Sequence, residues 1–449
     1  MGILPIPHSL NATVRVPGSK SLTNRALLLA ALANGKTKIT NALFADDTLY
    51  LVKALQTLGF DVQLDEERKE MTIAGLGGKI PKKKAHLFIG NAGTAARFLT
   101  AFLTLGHGEY ILDGEPRMRE RPIGDLADAL TQIGAHIAPL SPRAKEECKE
   151  ISLPLKITAN GLSGGNVKIT GNISSQFLSA LLMVAPYAQN PIEIILSTKL
   201  VSKPYVEMTL AVMRDFGVKV IRNGEQYFSI PITPYHLPAP CFSTASILDP
   251  QRPTDDFSSI YPIEADASAA SYFFAAPAIC GGTVQLANLS RASVQGDIQF
   301  LDVLTQMGCL VEETHNGLRV TAHPPVRGID VDLRDLPDVA PTLAAIAPFA
   351  SSPTRIRGIA SARFKETDRI HALCTELTRL GVHVEEYEDG MTIQPCQNFQ
   401  PAVIQTYNDH RMAMAFSLIG LRFDGVTIEN PSCVSKTFPH FFDVLQTLY

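Results

Sequence analysis

The sequence has little that would tie it to metal, disulfide, membrane or nucleic-acid chemistry. Its seven cysteines, Cys148, Cys241, Cys280, Cys309, Cys374, Cys396 and Cys433, are scattered, and none forms a CxxC pair. That spacing offers no zinc or disulfide framework. A thiol in an apolar run behaves as a small hydrophobe, so a reducing, cytoplasmic setting is expected. Neither sign of charge is in excess: 40 Lys and Arg against 44 Asp and Glu leave a net charge of −4. This argues against nucleic acid or an anionic membrane as the main partner, since both favour a basic surface. Long apolar runs are also lacking. Residues 26–33 fall well short of the ~20 that a bilayer span needs. The opening MGILPIPHSLNATV has no basic start and no apolar core, so no signal peptide is expected.

What is present is length and a repeat. With 449 residues, 45% of them apolar, the chain can build two domains or more. One pattern recurs: a polar start, an Ala/Leu-rich helix, a Gly-linked strand, a second helix ending in a hydrophobe-Gly pair, and a further strand. The starts are GSKSLTNRA at 18, GNAGTAARF at 90, GNISSQFLSA at 171, ADASAASYF at 265 and PDVAPTLAA at 337. The closing turns are LGFDV at 58, IGAHI at 133, FGVKV at 216, MGCLV at 307 and LGVHV at 380. A sixth start, YNDHRMAMAFSLIG at 407, lacks the closing strand.

Runs such as ALLLAALA and FLSALLMVA leave no solvated face, so the first helix of each unit is expected to be buried. Pro186, Pro277 and Pro348 fall late in three of these helices and are expected to end or kink them. The second helices are amphipathic, as Leu49, Leu51, Val52, Leu55 and Leu58 illustrate. Each unit is then helices on a sheet, and six units make two domains of three. The stretch 222–264, rich in Pro, Ser and Asp, interrupts the repeat and reads as the connection. A strand at 12–17 precedes the first unit and is assigned to the other domain. The expected domains are thus 1–17 with 265–449, and 18–264.

A buried helix can still present its N-terminus, where free N–H groups and the dipole favour anions. Cations recur there and in the following loops: Lys20 and Arg25; Arg97, Arg117, Arg119 and Arg121; Lys203; Lys365 and Arg369; Arg411 and Lys436. A substrate with several anionic groups would need such a set. Asp338 and Glu366 lie among them, where carboxylates stay ionised and can move protons. Each feature has an ordinary structural reading as well. Lys20 is a first-turn lysine, 117–121 an exposed loop, KETDR a helix face of ion pairs, Asp266 and Asp338 N-caps, SSQ a cap, and DHR a weak metal-site fragment. Their coincidence at equivalent points of one repeat favours the functional reading.

These residues bring a family into view. PGSKSLTNRALLLAALANG, GNAGTAARF, GEPRMRERPIGDLADAL, SSQFLSALLM, LVSKPY, KETDRI, YNDHRMAM and KTFPHFF match, in order and spacing, the motifs of 5-enolpyruvylshikimate-3-phosphate synthases. The resemblance covers essentially the whole chain. It implies an α/β fold of the inverse α/β barrel type, with two similar domains of three βαβαββ units whose buried helices turn their N-termini to an interdomain cleft. It implies transfer of enolpyruvate from phosphoenolpyruvate to shikimate 3-phosphate by a monomer, with release of phosphate and with no metal or organic cofactor.

The resemblance also implies roles. Lys20, Ser21, Arg25, Ser174, Ser175, Gln176, Ser202, Tyr205, Asp338 and Lys365 would meet shikimate 3-phosphate, with the domain of units one to three as that substrate's side. Lys20, Asn91, Gly93, Thr94, Arg121, Gln176, Arg369, Arg411 and Lys436 would meet phosphoenolpyruvate. Asp338, Glu366 and Lys20 would be catalytic. Gly93, without a Cβ, would leave room for the inhibitor glyphosate. Phe98 stands where many members have Pro, Ser361 where many have Asn, and 236–260 is longer than in many. The sister family that uses a UDP-amino sugar is the nearest rival, but its loop cysteine is missing from DGEPRMRERP and its KN pair from GSKSLTNR. A scaffold without activity would be expected to have lost Lys20, Asp338 or Glu366.

Overall fold

A computed structural model describes residues 1–140, 151–235 and 258–449. Cys148, Cys241, the charged stretch 142–150 and most of 236–260 lie outside the described residues. Strand β1 (Leu10–Val14) comes first. The chain then builds one unit from Gly18 to Ile263. Its first copy of the repeat runs α1 (Lys20–Leu32), β2 (Asn34–Thr40), α2 (Asp46–Thr57), β3 (Val62–Asp65) and β4 (Glu70–Leu76). The second runs β5 (Lys84–Phe88), α3 (Gly93–Leu103), β6 (His107–Asp113), α4 (Gly124–Gln132), β7 (His136–Pro139) and β8 (Leu155–Asn160). The third runs β9 (Gly165–Ile169), α5 (Ser175–Val184), β10 (Ile192–Leu196), α6 (Lys203–Asp215), β11 (Ile221–Asn223) and β12 (Tyr227–Ile230). Strand β13 (Ser258–Pro262) completes the unit.

The other unit joins Met1–Pro17 to Glu264–Tyr449. It contains α7 (Ala267–Cys280), β14 (Gly282–Leu286), α8 (Phe300–Gln306), β15 (Leu310–Thr314) and β16 (Gly317–Ala322). Next come β17 (Asp330–Asp332), α9 (Ala340–Ile346), β18 (Thr354–Arg357), α10 (Arg369–Arg379), β19 (Val384–Tyr387) and β20 (Gly390–Ile393). The last copy is short: β21 (Ala402–Ile404), α11 (His410–Gly420), β22 (Val426–Ile428) and α12 (Phe441–Gln446).

Five copies form four-stranded sheets of one topology, with orders β13-β2-β4-β3, β5-β6-β8-β7, β9-β10-β12-β11, β1-β14-β16-β15 and β17-β18-β20-β19. In each, the first pair is parallel and the rest antiparallel, as β5–β6, β6–β8 and β7–β8 show. The copies that begin at 18 and 265 have no leading strand of their own, and each takes one from distant sequence. Strand β13 lies parallel to β2, from Ser258 opposite Lys36 to Pro262 opposite Thr40. Strand β1 lies parallel to β14, from Leu10 opposite Gly282 to Val14 opposite Leu286.

The first helices are buried as their composition requires: every residue of α3, α9 and α11 is buried. Each unit has its own apolar core around these helices. All five hydrophobe-Gly turns end their helices in one way. Gly59, Gly134, Gly217, Gly308 and Gly381 have φ between +81° and +99°. The next residue's N–H returns to the preceding turn: Phe60 to Leu55 O, Ala135 to Leu130 O, Val218 to Met213 O, Cys309 to Leu304 O and Val382 to Leu377 O. This is the Schellman closure, which needs a residue tolerant of positive φ.

Two expectations are corrected. Leu49 is 38% exposed and stands off the apolar stripe of α2, which is Leu51, Val52, Ala54 and Leu55. The connection read at 222–264 begins too early: β11 and β12 form a hairpin that buries Phe228 and Ile230. The Pro, Ser and Asp residues that marked the stretch lie almost wholly after Ile230. Pro186 and Pro348 do end their helices, in 3-10 turns at Ala185–Tyr187 and Ala347–Phe349. Pro277, however, sits inside α7, which continues to Cys280.

Candidate active site

In the Gly18–Ile263 unit, polar groups gather at the N-termini of α1, α3 and α5. Ser19 caps α1, its side chain accepting from the Leu22 N–H. Lys20 Nζ lies 3.3 Å from Asp47 Oδ2 at the start of α2. At α3, Arg121 Nη1 donates to Asn91 O and to Asn91 Oδ1, at 3.2 and 3.1 Å. A Cβ on Gly93 would stand 2.4 Å from Arg121 Nη2, so the glycine is what lets the guanidinium lie over the helix start. Gln176 Nε2 donates to Thr94 Oγ1 at 3.3 Å, joining the starts of α5 and α3. Ser174 caps α5 by accepting from Gln176 N, with Ser175 buried beside it.

The other residues marked by the sequence divide. Arg117 pairs with Glu120, and Arg119 forks onto Asp113 with bonds of 2.9 and 2.7 Å, both at exposed positions. For these two the exposed-loop reading holds, whereas Arg121 is buried. Arg97 is internal: its Nη2 donates to Pro122 O at 2.7 Å and holds the arginine loop against α3. Arg25 is a buried tie. It donates to Thr209 Oγ1, Ser21 O and Tyr205 O at 2.8, 3.0 and 3.0 Å, linking α1 to α6. Burial lowers its pKa to about 10. The Phe98 ring lies 5.3 Å from the Arg25 guanidinium carbon, so Phe98 is a packing partner of a site cation. Ser202 precedes α6 with φ +54°, and Lys203 pairs outward with Glu225.

In the other unit the charges form one network. Asp338 accepts from Arg369 Nη1 at 3.1 Å and Arg411 Nη2 at 2.9 Å, and lies 3.8 Å from Lys365 Nζ. Glu366 accepts from Arg369 Nη2 at 2.7 Å and lies 4.0 Å from Lys436 Nζ. Arg369 Nε donates to Asp409 Oδ2 at 2.8 Å. Burial works against the Arg369 charge, but Asp409, Glu366 and Asp338 outweigh it and hold the pKa above the ordinary range. Neither expected bland reading fits here. Asp338 is no N-cap, since α9 begins at Ala340 after Val339. KETDR is no helix face: a 3-10 turn spans Ala360–Phe364, including Ser361, and α10 starts at Arg369 with Asp368 as its cap. Asp266 is the N-cap of α7, accepting from Ala269 N at 2.8 Å.

Three carboxylates were not marked from the sequence. Asp47 partners Lys20. Asp409, quoted only within a weak metal fragment, caps α11 by accepting from Arg411 N at 2.9 Å. Asp297 is 4% exposed and accepts from the Ser268 hydroxyl. Burial first, and then the charge of Asp338, push its carboxyl up to about 6. A single Asp in QGDIQF carries no sequence signal of that setting. Among the described residues no three His, Cys, Asp or Glu side chains are grouped to hold a metal, and no helix is long and apolar enough to cross a membrane.

A repeated α/β scaffold that gathers Lys, Arg and carboxylate side chains at buried helix ends belongs to the class of enzymes that handle small, multiply anionic substrates. The comparisons narrow this. The family model described as EPSP synthase (3-phosphoshikimate 1-carboxyvinyltransferase) matches residues 4–242 and 246–445. A 3-phosphoshikimate 1-carboxyvinyltransferase of Nostoc punctiforme is 46% identical over 445 residues, 98% of each chain. One from Shewanella oneidensis is 46% identical over 430 residues, 96% of this chain and 95% of that one. The solved structure of EPSP synthase from Acinetobacter baumannii superposes with a TM-score of 0.78 at 24% identity, covering 100% of this chain and 97% of the other, and shows the shared fold. The chain belongs to the EPSP synthase family. It is an enolpyruvyl transferase of the shikimate pathway, and nothing in these matches favours the UDP-sugar alternative.

Proposed function

We propose that the transfer joins phosphoenolpyruvate to the 5-hydroxyl of shikimate 3-phosphate by addition and elimination, and that the residues above divide the work. The observation that carries the assignment is Asp338, a carboxylate held between Arg369 and Arg411. Such a group is poised to accept the hydroxyl proton as the oxygen attacks C2 of phosphoenolpyruvate. Lys20, with Glu366, delivers a proton to the methylene carbon, giving a tetrahedral adduct. Glu366 takes a proton back as the C–O bond to phosphate breaks. Arg121, Arg369, Arg411 and Lys436 stabilise the charge on the departing phosphate, with Asn91, Gly93, Thr94 and Gln176 at the helix start beside Arg121. Ser21, Ser174, Ser175, Gln176, Ser202, Tyr205 and Lys365 receive shikimate 3-phosphate. Arg25 acts in that group through the Ser21 and Tyr205 backbone it holds.

A monomer suffices, since every role falls to one chain. The five cysteines among the described residues are all free thiols, which supports a reducing cytoplasm as the setting.

Phosphate release with both substrates tests the reading. Glu366→Gln and Asp338→Asn are each expected to lower kcat by roughly 10²-fold or more while shikimate 3-phosphate binding changes little. Near-normal turnover by either variant removes that residue from the scheme. Turnover with a UDP-amino sugar in place of shikimate 3-phosphate overturns the acceptor.

A further inference from the structure

The segment from Gln405 to Asp409 connects β21 to α11 and delivers Asp409 and Arg411 to the charge network. It does so through an unfavourable backbone. Tyr407 and Asn408 are consecutive residues with φ of +52° and +54°, and neither is glycine. Left-handed pairs of this kind persist only where the surroundings hold them, and they cluster at functional sites. The Asp409 N–H closes the turn onto Thr406 O at 2.8 Å, but that bond is local and does not fix the turn to its scaffold.

Two side chains from outside the segment tie it down: Asn430, whose Nδ2 donates to Asn408 Oδ1 at 3.3 Å at an exposed position, and Glu376 from the interior. Its side chain is 0% exposed, a costly place for a carboxylate unless its oxygens are used. Oε2 accepts from the Gln405 backbone N–H at 3.1 Å, and Oε1 from the Tyr407 hydroxyl at 2.8 Å. The remaining charged neighbour is Arg379, 3.7 Å away and partly solvated. Glu376 is seven residues after Arg369 on α10, two turns along the same face. One face of one helix therefore grips the segment at both ends. Arg369 takes the Asp409 carboxylate, while Glu376 takes Gln405 and Tyr407.

We infer that Glu376 is a positioning residue for the transfer: through Gln405 and Tyr407 it fixes the left-handed turn that sets Asp409 and Arg411 against Arg369 and Asp338. It touches no substrate. The inference rests on the reading of Arg369 and Arg411 as the phosphoenolpyruvate side of the site. The carboxylate accepts from both donors at once. Glutamine keeps the shape but has a single acceptor oxygen: with that oxygen on the Gln405 N–H, its N–H₂ faces the Tyr407 hydroxyl, which must turn its own hydrogen away. The turn then shifts, and Arg411 with it, and an error of about 1 Å in such a group costs up to about 10²-fold.

Steady-state kinetics on the full chain separate this from a plain loss of stability. Fewer folded molecules lower the apparent kcat and leave both KM values alone. Glu376→Gln is expected to raise KM for phosphoenolpyruvate about tenfold or more, with KM for shikimate 3-phosphate within about twofold. Tyr407→Phe, which removes only the hydroxyl, should show the same split at smaller size and stands in if Glu376→Gln fails to fold. Arg411→Lys tests the parent reading. If it leaves KM for phosphoenolpyruvate unchanged, that reading fails. If it raises KM while Glu376→Gln and Tyr407→Phe do not, the parent reading survives and the role given to Glu376 is wrong.

Discussion

Gly93 shows how much can depend on one hydrogen. From the sequence its value is room for a ligand or for glyphosate beside NAGT. In the structure that room is already claimed by a protein group, because the Cβ position falls 2.4 Å from Arg121 Nη2 and 2.8 Å from Cζ. The guanidinium is buried and bonded to Asn91, so it cannot swing aside without losing a charge-assisted bond. Gly93→Ala is therefore expected to act through Arg121. It should raise KM for phosphoenolpyruvate by about tenfold, the scale of a 1.4 kcal/mol loss, and should weaken glyphosate by at least as much. Inhibition titrations beside the kinetics check this. Unchanged KM with lost inhibition would mean that the methyl meets only the inhibitor. Phe98, on the same helix, is buried with its ring 5.3 Å from the Arg25 guanidinium carbon.

At the scale of elements, five helices end on glycines that the sequence marks plainly, and the marking has a mechanical cause. Each glycine adopts positive φ so that the following N–H can reach back across the last turn, a conformation that costs an L-residue about 1–2 kcal/mol. Gly308 separates backbone cost from crowding. Around its Cβ position the nearest atom is Arg327 Nε at 3.9 Å. Gly308→Ala should thus lose about 1–2 kcal/mol with no steric penalty, read as a lower denaturant midpoint at unchanged slope. A neutral result would show that the turn relaxes to another conformation. The three late prolines part ways at this scale too. Pro186 and Pro348 lie in the 3-10 turns that follow α5 and α9, whereas α7 runs on through Pro277 to Cys280.

For the molecule as a whole, the buried charges should be visible in stability against pH. Asp297 has its carboxyl raised to about 6 by burial and by Asp338, above the ordinary 3.8. The folded state thus holds a proton that the unfolded state has released. That contribution is fully present below about pH 4 and is lost as pH rises through about 6, a change on the order of 3 kcal/mol. Asp113 and Asp332 run the other way. Burial opposes their charge, but bonds from Arg119 and Arg334 outweigh it and hold both low. Comparing Asp297→Asn with the parent isolates the raised group. The variant should gain relative stability between about pH 4 and 7, with the Ser268 contact kept. A difference that stays flat across that range would show that Asp297 is not penalised when ionised.

The amino-acid sequence by itself determined the repeat, the burial of the first helix in each copy, the glycine closures and the residue types at the helix starts. All of these are local: apolar periodicity, backbone freedom and anion-friendly chemistry are written within a dozen residues. Only the tertiary structure decided which chains complete which sheets. Strand β13 reads as a Pro/Ser-rich connection until it is seen parallel to β2, because strand pairing depends on a partner more than 200 residues away. The partners of the charges were likewise decided by folding. Arg117, Arg119 and Arg121 are alike in sequence, yet two pair at exposed positions and one lies buried over Gly93. Asp297 and Glu376 stand in unremarkable stretches, and their settings come from burial and from side chains brought in across the fold. Composition can announce that a carboxylate exists. What it bonds to, and whether it holds a proton, are fixed by neighbours that only the folded chain supplies.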